Sequence, residues 1–382
     1  MLRLLGTLAC VVTVALAGLA HGASAARYGD RAQYFRLADD GIPRTLDVWW
    51  NPAARWFAQT PHSLTDGPRQ VATLWDVFPF FEAIDLVAIA HPSPARRAMV
   101  EQIGRGAERY WNPEFKPLGG YWFLPFRRPN VNVFFDDNGW WGLAFFDAYA
   151  ATHNRRFLRD AVRAFRFIEV AGWAKKLGGG VWWDTDHRRK TAEPLAAEAL
   201  LGAELYRATH NRHYLRVALR MINWANRKSF NRQRGLYQRN ETDDTVMNYV
   251  QGMMIGAHSV LCATLKKKAY CNRARRLAAA ALRAFPLTYH WSTETDAIYL
   301  RGLLTLYSVD HDRRWYRIAD YWAQKAVANG RDSRGIFSRR WDGAAADKTR
   351  LLIPGGTLML LSAVAAAPQP RDYKRNHAAA AR

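Results

Sequence analysis

The sequence is poor in several features, and each absence narrows the chain's fold and chemistry. It has three cysteines in 382 residues, and no Cys/His spacing resembles a zinc site, so no metal is expected. Acidic residues are scarce, 33 against 55 basic, giving a formal net charge of +22 and a pI near 10.3. No long strand-like alternation occurs, which argues against a sheet as the organising element. No phosphate-binding loop and no nucleophile-elbow motif appears. After the first 25 residues no apolar run reaches the length of a membrane span.

A basic excess of this size points to nucleic acid, an anionic membrane or an anionic polymer as a neighbour. The Arg and Lys residues are dispersed over many helix-like segments, however, with no compact arm and no recognised nucleic-acid motif. A solvated basic face is therefore expected, suited to loose association with anionic cell-wall polymers, and nucleic acid is not an expected partner.

Residues 1–25 read as a secretory signal. Arg3 supplies the positive start, Leu4 to Ala20 the apolar stretch, and Ala23-Ser24-Ala25 a small-residue cleavage site. An uncleaved anchor is the alternative, although the run is short for a span. The chain is thus expected to be secreted or held in the cell envelope, without a stable membrane span after cleavage. Cys10 lies inside the signal. Cys262 and Cys271 flank Lys266-Lys267-Lys268, and on a helical hairpin their sulfurs would face each other, so a disulfide is compatible with export.

What the sequence has in quantity is apolar and aromatic residues, 49% and 13% of the chain, with sixteen tryptophans. It also repeats. Thr152-His153-Asn154-Arg155-Arg156-Phe157-Leu158 returns as Thr209-His210-Asn211-Arg212-His213-Tyr214-Leu215, each copy between two helix-like segments. Weaker copies span Leu261 to Leu282 and Leu306 to Val327. Between them stand a Gly and bulky residues: Gly180-Val181-Trp182, Gly235-Leu236-Tyr237 and Gly335-Ile336-Phe337. The unit is helix, tight turn, helix and a longer return loop. Stacked units bury one face against each other in a solenoid or a closed ring. The long aromatic return loops favour a closed all-α toroid over an open solenoid for residues 26–366, with loops gathered at one end. Residues 367–382 read as a tail without periodicity. Leu74 to Ala90 has helical spacing, with Pro79 expected to interrupt it.

The chemistry centres on Phe134-Phe135-Asp136-Asp137-Asn138-Gly139-Trp140-Trp141. Cleaving a glycoside needs two carboxyls in different protonation states, one to protonate the leaving oxygen and one to attack carbon or activate water. Neighbouring aspartates before a helix can differ in this way. One lies in the positive field of the helix terminus, while the other is pushed against rings and a like charge. Their closeness suits the separation of about 5–5.5 Å of a retaining mechanism. The plainer reading is a helix cap, with the helix starting near Asn138. Asp243-Asp244 is a second pair, read as a cap or rim group, and Asp184 and Asp186 as loop caps. Trp140, Trp141, Trp182, Trp183, Tyr121, Trp122 and Trp49-Trp50 can each present a ring face to sugar or pack in the core. Of an adjacent Trp pair on a helix, one is expected in the core and one near the site.

These residues resemble glycoside hydrolase family 76, the endo-acting α-1,6-mannanases. Phe135 to Ala144 is similar to that family's aromatic-Asp-Asp-Asn motif, Gly178 to Trp183 to its Gly-Gly-Gly-Val-Trp-Trp segment, and Tyr249-Val250-Gln251-Gly252 to its Tyr-X-Gln-Gly start. Asn329-Gly330-Arg331-Asp332 and Trp341-Asp342-Gly343 follow in order. The resemblance implies an (α/α)6 barrel and a retaining reaction that needs no cofactor, with Asp136 as nucleophile and Asp137 as general acid/base. Asn138, Trp140, Trp141, Trp182, Trp183, Tyr249, Gln251 and Arg301 would then contact a mannan-like polysaccharide or oligosaccharide. A wall-glycan transglycosidase and an inactive glycan-binding relative are the alternatives. Lys190 to Ala196 departs from the family pattern by lacking its Asn and Glu. Val250 replaces a usual Asn, and Thr295-Asp296-Ala297-Ile298 stands where Phe-Lys-Gly-Ile is usual.

Overall fold

A computed structural model describes residues 28–61, 70–125, 132–286, 291–346 and 349–371. The expected signal segment, Cys10 and the tail from residue 372 lie outside the described residues. Twelve helices are found among the described residues. They are α1 (Arg31–Trp49), α2 (Leu74–Ala90), α3 (Pro94–Ala107), α4 (Phe135–Thr152), α5 (Arg155–Phe167), α6 (Ala192–Thr209), α7 (Arg212–Lys228), α8 (Asn248–Leu265), α9 (Lys268–Ala284), α10 (Thr293–Asp310), α11 (Arg313–Asn329) and α12 (Leu352–Ala366). None is long and apolar enough to cross a membrane.

The even-numbered helices are buried nearly all round, which is the property of a helix enclosed by others. Each packs on the next, and α12 packs on α2, so these six close an inner ring. The odd-numbered helices are amphipathic and lie outside it. In α5, Phe157, Ala161, Ala164 and Phe165 face inward, while Arg155, Arg156, Arg159 and Arg166 face solvent. The result is the (α/α)6 barrel, with one difference in connectivity. Five pairs are consecutive hairpins, but the sixth joins α1 to α12 from opposite ends of the chain.

The repeated Thr-His-Asn turn explains the hairpins. His153 takes the left-handed conformation (φ 57°) that ends α4. The Asn154 side chain accepts from the Arg156 N–H and caps α5, and Thr152 Oγ1 accepts from the Asn154 N–H. Thr209-His210-Asn211 repeats every contact, and Asp310-His311-Asp312 does so with carboxylates. The α8–α9 turn, at Lys266, has no side-chain cap. There the Cys262–Cys271 disulfide spans the turn, with Cα atoms 5.0 Å apart.

Pro79 does not interrupt α2. It sits in the second turn, where its ring removes a single intrahelical hydrogen bond, and the helix is fixed ahead of it by a Thr73–Asp76 capping box. Where α8 and α10 cross, a Cβ on Gly302 would lie 2.1 Å from the Gly252 carbonyl oxygen, so the two backbones touch. Among the described residues three short antiparallel pairs interrupt the return loops: β1 (Trp50–Asn51) with β2 (Trp56–Phe57), β3 (Trp111–Asn112) with β4 (Gly120–Tyr121), and β5 (Phe230–Asn231) with β6 (Leu236–Tyr237). Every return loop leads into the N-terminus of an inner helix. The loops therefore gather at one end of the ring, as the repeat pattern predicts.

Candidate active site

The first turn of α4 opens at that end. Phe134 takes the N-cap position without a side-chain cap, and the helix begins at Phe135, earlier than the sequence suggests. Asp136 and Asp137 are therefore not caps. The Trp182-Trp183 loop is joined to this turn by a Phe134–Asp184 bridge and by the Phe135 N–H donating to the Trp183 carbonyl at 2.9 Å. The start of α4 thus carries two carboxyls whose usual capping work the backbone already does.

Their partners differ. Asp136 Oδ2 accepts from the Trp183 indole N–H at 3.0 Å, and Oδ1 accepts from the Asp137 backbone N–H at 3.1 Å. The Asp137 carboxyl receives no side-chain hydrogen bond from a described residue. Burial pushes the Asp136 carboxyl up to about 7, helped by the nearby Glu193 and opposed by the Trp183 and backbone donors. Asp137 is raised well above the usual carboxylate range by burial and then by the charges of Asp136 and Asp76. The pair is unequal: Asp136, with two N–H donors, ionises more readily, and Asp137 holds its proton more strongly.

Both line an open cleft of about 360 Å³. Phe134, Trp75, Trp140, Trp183 and Tyr249 supply aromatic walls, and Arg350 supplies the cation. The rings continue outward, since Trp140 lies 6.0 Å from Tyr249 and Tyr249 lies 5.8 Å from Trp291. Trp291 is 44% exposed, a large apolar surface at the rim. Among the described residues no cluster of His, Cys, Asp and Glu is placed to hold a metal ion.

The sequence-predicted contact residues divide. Trp140, Trp183 and Tyr249 line the cleft beside the aspartates. Trp141 is fully buried, its indole N–H donating to the Ala107 carbonyl. Trp182 points away and stacks against His187, 5.3 Å between ring centres. Trp49, Tyr121 and Trp122 are core residues. Asn138 and Gln251 are both fully buried and do the same work on different helices. Asn138 bonds both backbone groups of Tyr121 at 2.8 and 2.9 Å, and Gln251 both groups of Tyr237 at 3.0 and 2.7 Å. Each ties the preceding β hairpin to an inner helix and leaves no group for sugar. Arg301 lies inside the ring, ion-paired with Glu82 and Asp147, and lines a separate small cavity. Asp243 accepts from Arg239 at 3.0 Å and from the Thr245 N–H, and Asp244 pairs with Arg234 on the surface; α8 begins after both, at Asn248.

Sequence reasoning missed Trp75, Glu193, Trp291 and Arg350. One signal would have found the first two. Once the return loops are placed at one end, first-turn residues of every inner helix fall there, and Trp75 and Glu193 are such residues.

A ring of helical hairpins with an unequal carboxyl pair on the floor of an aromatic cleft is the equipment of a glycoside hydrolase. Residues 119–288 match the sequence model of glycosyl hydrolase family 76. That segment runs from before α4 through α9 and holds Asp136 and Asp137. No curated protein matches the chain. Among solved structures, a family 76 mannosidase from Bacteroides thetaiotaomicron superposes with a TM-score of 0.79 at 18% identity, covering 87% of this chain and 98% of that one. An inactive double Asp-to-Asn variant of an α-1,6-mannanase from Salegentibacter, in complex with α-1,6-mannotriose, gives 0.72 at 18%, covering 87% and 99%. A cellobiose 2-epimerase from Spirochaeta thermophila gives 0.64 at 14%, covering 87% and 96%. At these identities the likeness fixes the (α/α)6 fold. That the fold also carries an epimerase leaves the reaction to be argued from the site.

Proposed function

We propose that this chain is an exported, retaining endo-glycosidase that hydrolyses α-1,6-mannan or a related mannose-containing cell-surface glycan. The observation that carries the reading is the unequal partnering of the two aspartates. Asp137, without donors and beside two like charges, delivers its proton to the glycosidic oxygen as that bond breaks. Asp136, held as the anion by two N–H donors, attacks the anomeric carbon and becomes a glycosyl ester. Water then enters, Asp137 takes its proton, and the ester is cleaved with Asp136 restored. The Trp75, Tyr249 and Trp291 rings, backed by the buried Trp140, offer the faces against which sugar C–H groups pack. The mannosidase and mannanase descriptions of the structural relatives support the choice of sugar. A disulfide across an otherwise uncapped turn suits an oxidising, extracytoplasmic location. The basic outer helices suit loose attachment to anionic wall polymers, and attachment that survives raised salt would count against that role.

The test is an activated 2-fluoro mannoside followed by peptide mapping. Ester formation on Asp136 and release of an α-configured product from α-1,6-mannan oligosaccharides support the reading. Label on any peptide lacking Asp136, or inverted product, overturns it. Products longer than the substrate would instead mark a transglycosidase.

A further inference from the structure

Arg350 is a cleft residue whose hydrogen-bonding capacity is only partly used. Its Nε donates to Asp76 Oδ1 at 2.6 Å, while neither terminal nitrogen bonds a described residue. Asp76 is also held by the Thr73 backbone N–H at 3.0 Å and hydroxyl at 2.6 Å, and is fully buried. The guanidinium is thus fixed at one corner by a rigid carboxylate, and its two-pronged end is left over in the cleft beside Asp136 and Asp137. Its side chain is 24% exposed. In the loop that enters α6, Arg189 stands over Trp183 with its guanidinium carbon 3.9 Å from the ring centre. Arg189 is exposed and makes no side-chain hydrogen bond to a described residue.

Arg350 is anchored to the first turn of α2, and Arg189 lies in the loop that enters α6, over the Trp183 ring that lines the cleft. Neutral sugar needs ring faces for its C–H groups and acceptors for its hydroxyls, which the aromatic walls and the carboxylates supply. A planar guanidinium with both terminal nitrogens open matches a phosphate or carboxylate in bidentate geometry. Without such cations, an anionic group entering the cleft would meet Asp76 and Asp136 unopposed.

We propose that Arg350, assisted at the rim by Arg189, recognises an oxyanion substituent on the glycan, so that the preferred substrate is an acidic rather than a neutral mannose-containing oligosaccharide. The proposal rests on the glycosidase reading for its setting but concerns recognition, so its test is binding to the Asp136→Asn protein, which cannot turn over. Dissociation constants are measured for α-1,6-mannotetraose, for the same oligosaccharide bearing a 6-phosphate, and for one bearing a uronic acid. The two charged ligands separate phosphate from carboxylate recognition.

At least one charged ligand is expected to bind about 10- to 100-fold tighter than the neutral one, the range of a charge-assisted hydrogen-bond pair. Arg350→Gln should abolish that ratio. Arg350→Lys, which keeps the charge without the fork, should keep part of it, and Arg189→Gln should lower it less and in a salt-sensitive way. Equal affinities for all three ligands, or a ratio unmoved by Arg350→Gln, overturn the proposal. If that variant does not fold, unmoved ratios in both Arg350→Lys and Arg189→Gln do so. Failure of the wild-type protein to cleave any of the three would count against the glycosidase reading and leave the binding ratio to decide this one.

Discussion

Replacing Trp183 with Phe isolates the hydrogen bond that distinguishes the two aspartates. The substitution keeps a ring against Phe134, 4.9 Å away between centres, and beneath Arg189. It deletes the indole donor 3.0 Å from Asp136 Oδ2. A hydrogen bond to a charged group contributes about 1.5–3 kcal/mol, and one pKa unit corresponds to about 1.4 kcal/mol. Because Asp136 is partly exposed and keeps its backbone donor, the lower end applies, a rise of roughly one unit. The sign follows from the charge state. The donor favours the anion, so losing it raises the carboxyl above its present value of about 7. The nucleophile must be ionised, so the acidic limb of the kcat/KM profile on α-1,6-mannotetraose should move up by about one unit. At pH 6 the loss should be about tenfold, shrinking above pH 8. The rate of labelling by the fluoro mannoside should follow the same limb, since it reads the nucleophile alone. A uniform loss with the limb unmoved would show that Trp183 acts as a wall only. Movement of the basic limb instead would assign the donor to the acid and reverse the two roles.

Three further variants test the described contacts. In Asp137→Asn, kcat should fall at least about 100-fold through loss of the general acid. The same variant should become more stable than the wild type as pH rises. A carboxyl raised by folding contributes fully below its unfolded value and loses that contribution towards its folded one, so the Tm difference should be small at pH 4 and several degrees at pH 8. Arg301→Ala should cost about 3–5 kcal/mol in urea unfolding by stranding Glu82 and Asp147 inside the ring; a raised KM at unchanged stability would return Arg301 to the substrate contacts. Replacing both Cys262 and Cys271 with Ser should cost about 2–3 kcal/mol, the loop-closure value for so short a span, and leave kcat unchanged.

The legible parts of this sequence were those that local chemistry repeats. Thr-His-Asn writes a left-handed residue and an N-cap into three letters, so the hairpins and the all-α ring could be read directly. The acid pair was legible by its aromatic setting. Trp141, Asn138 and Gln251 were harder, because polar or aromatic side chains near a site look alike whether they face sugar or a neighbouring loop. Only the β hairpins, two residues per strand and too short to show alternation, reveal that Asn138 and Gln251 clamp Tyr121 and Tyr237. Arg301 was misjudged for a related reason. Its partners Glu82 and Asp147 lie 219 and 154 residues away in sequence, and nothing local announces them. Arg350 depends on a contact with Asp76 across 274 residues.

That last contact lies on the seam where the ring closes. Five of the six helix pairs form from neighbouring sequence and can assemble as the chain lengthens. The seam between α2 and α12 waits for the C-terminal helix, whose Gly355 packs against the Phe80 backbone. Such long-range closure is the slow step in folding order. Because Arg350 precedes α12 and the Asp76 partner opens α2, one wall of the cleft is assembled by the same event. A chain that stops short of Arg350 lacks the residue that pairs with Asp76, and with it one wall of the cleft. Sugar binding therefore doubles as a readout of ring completion.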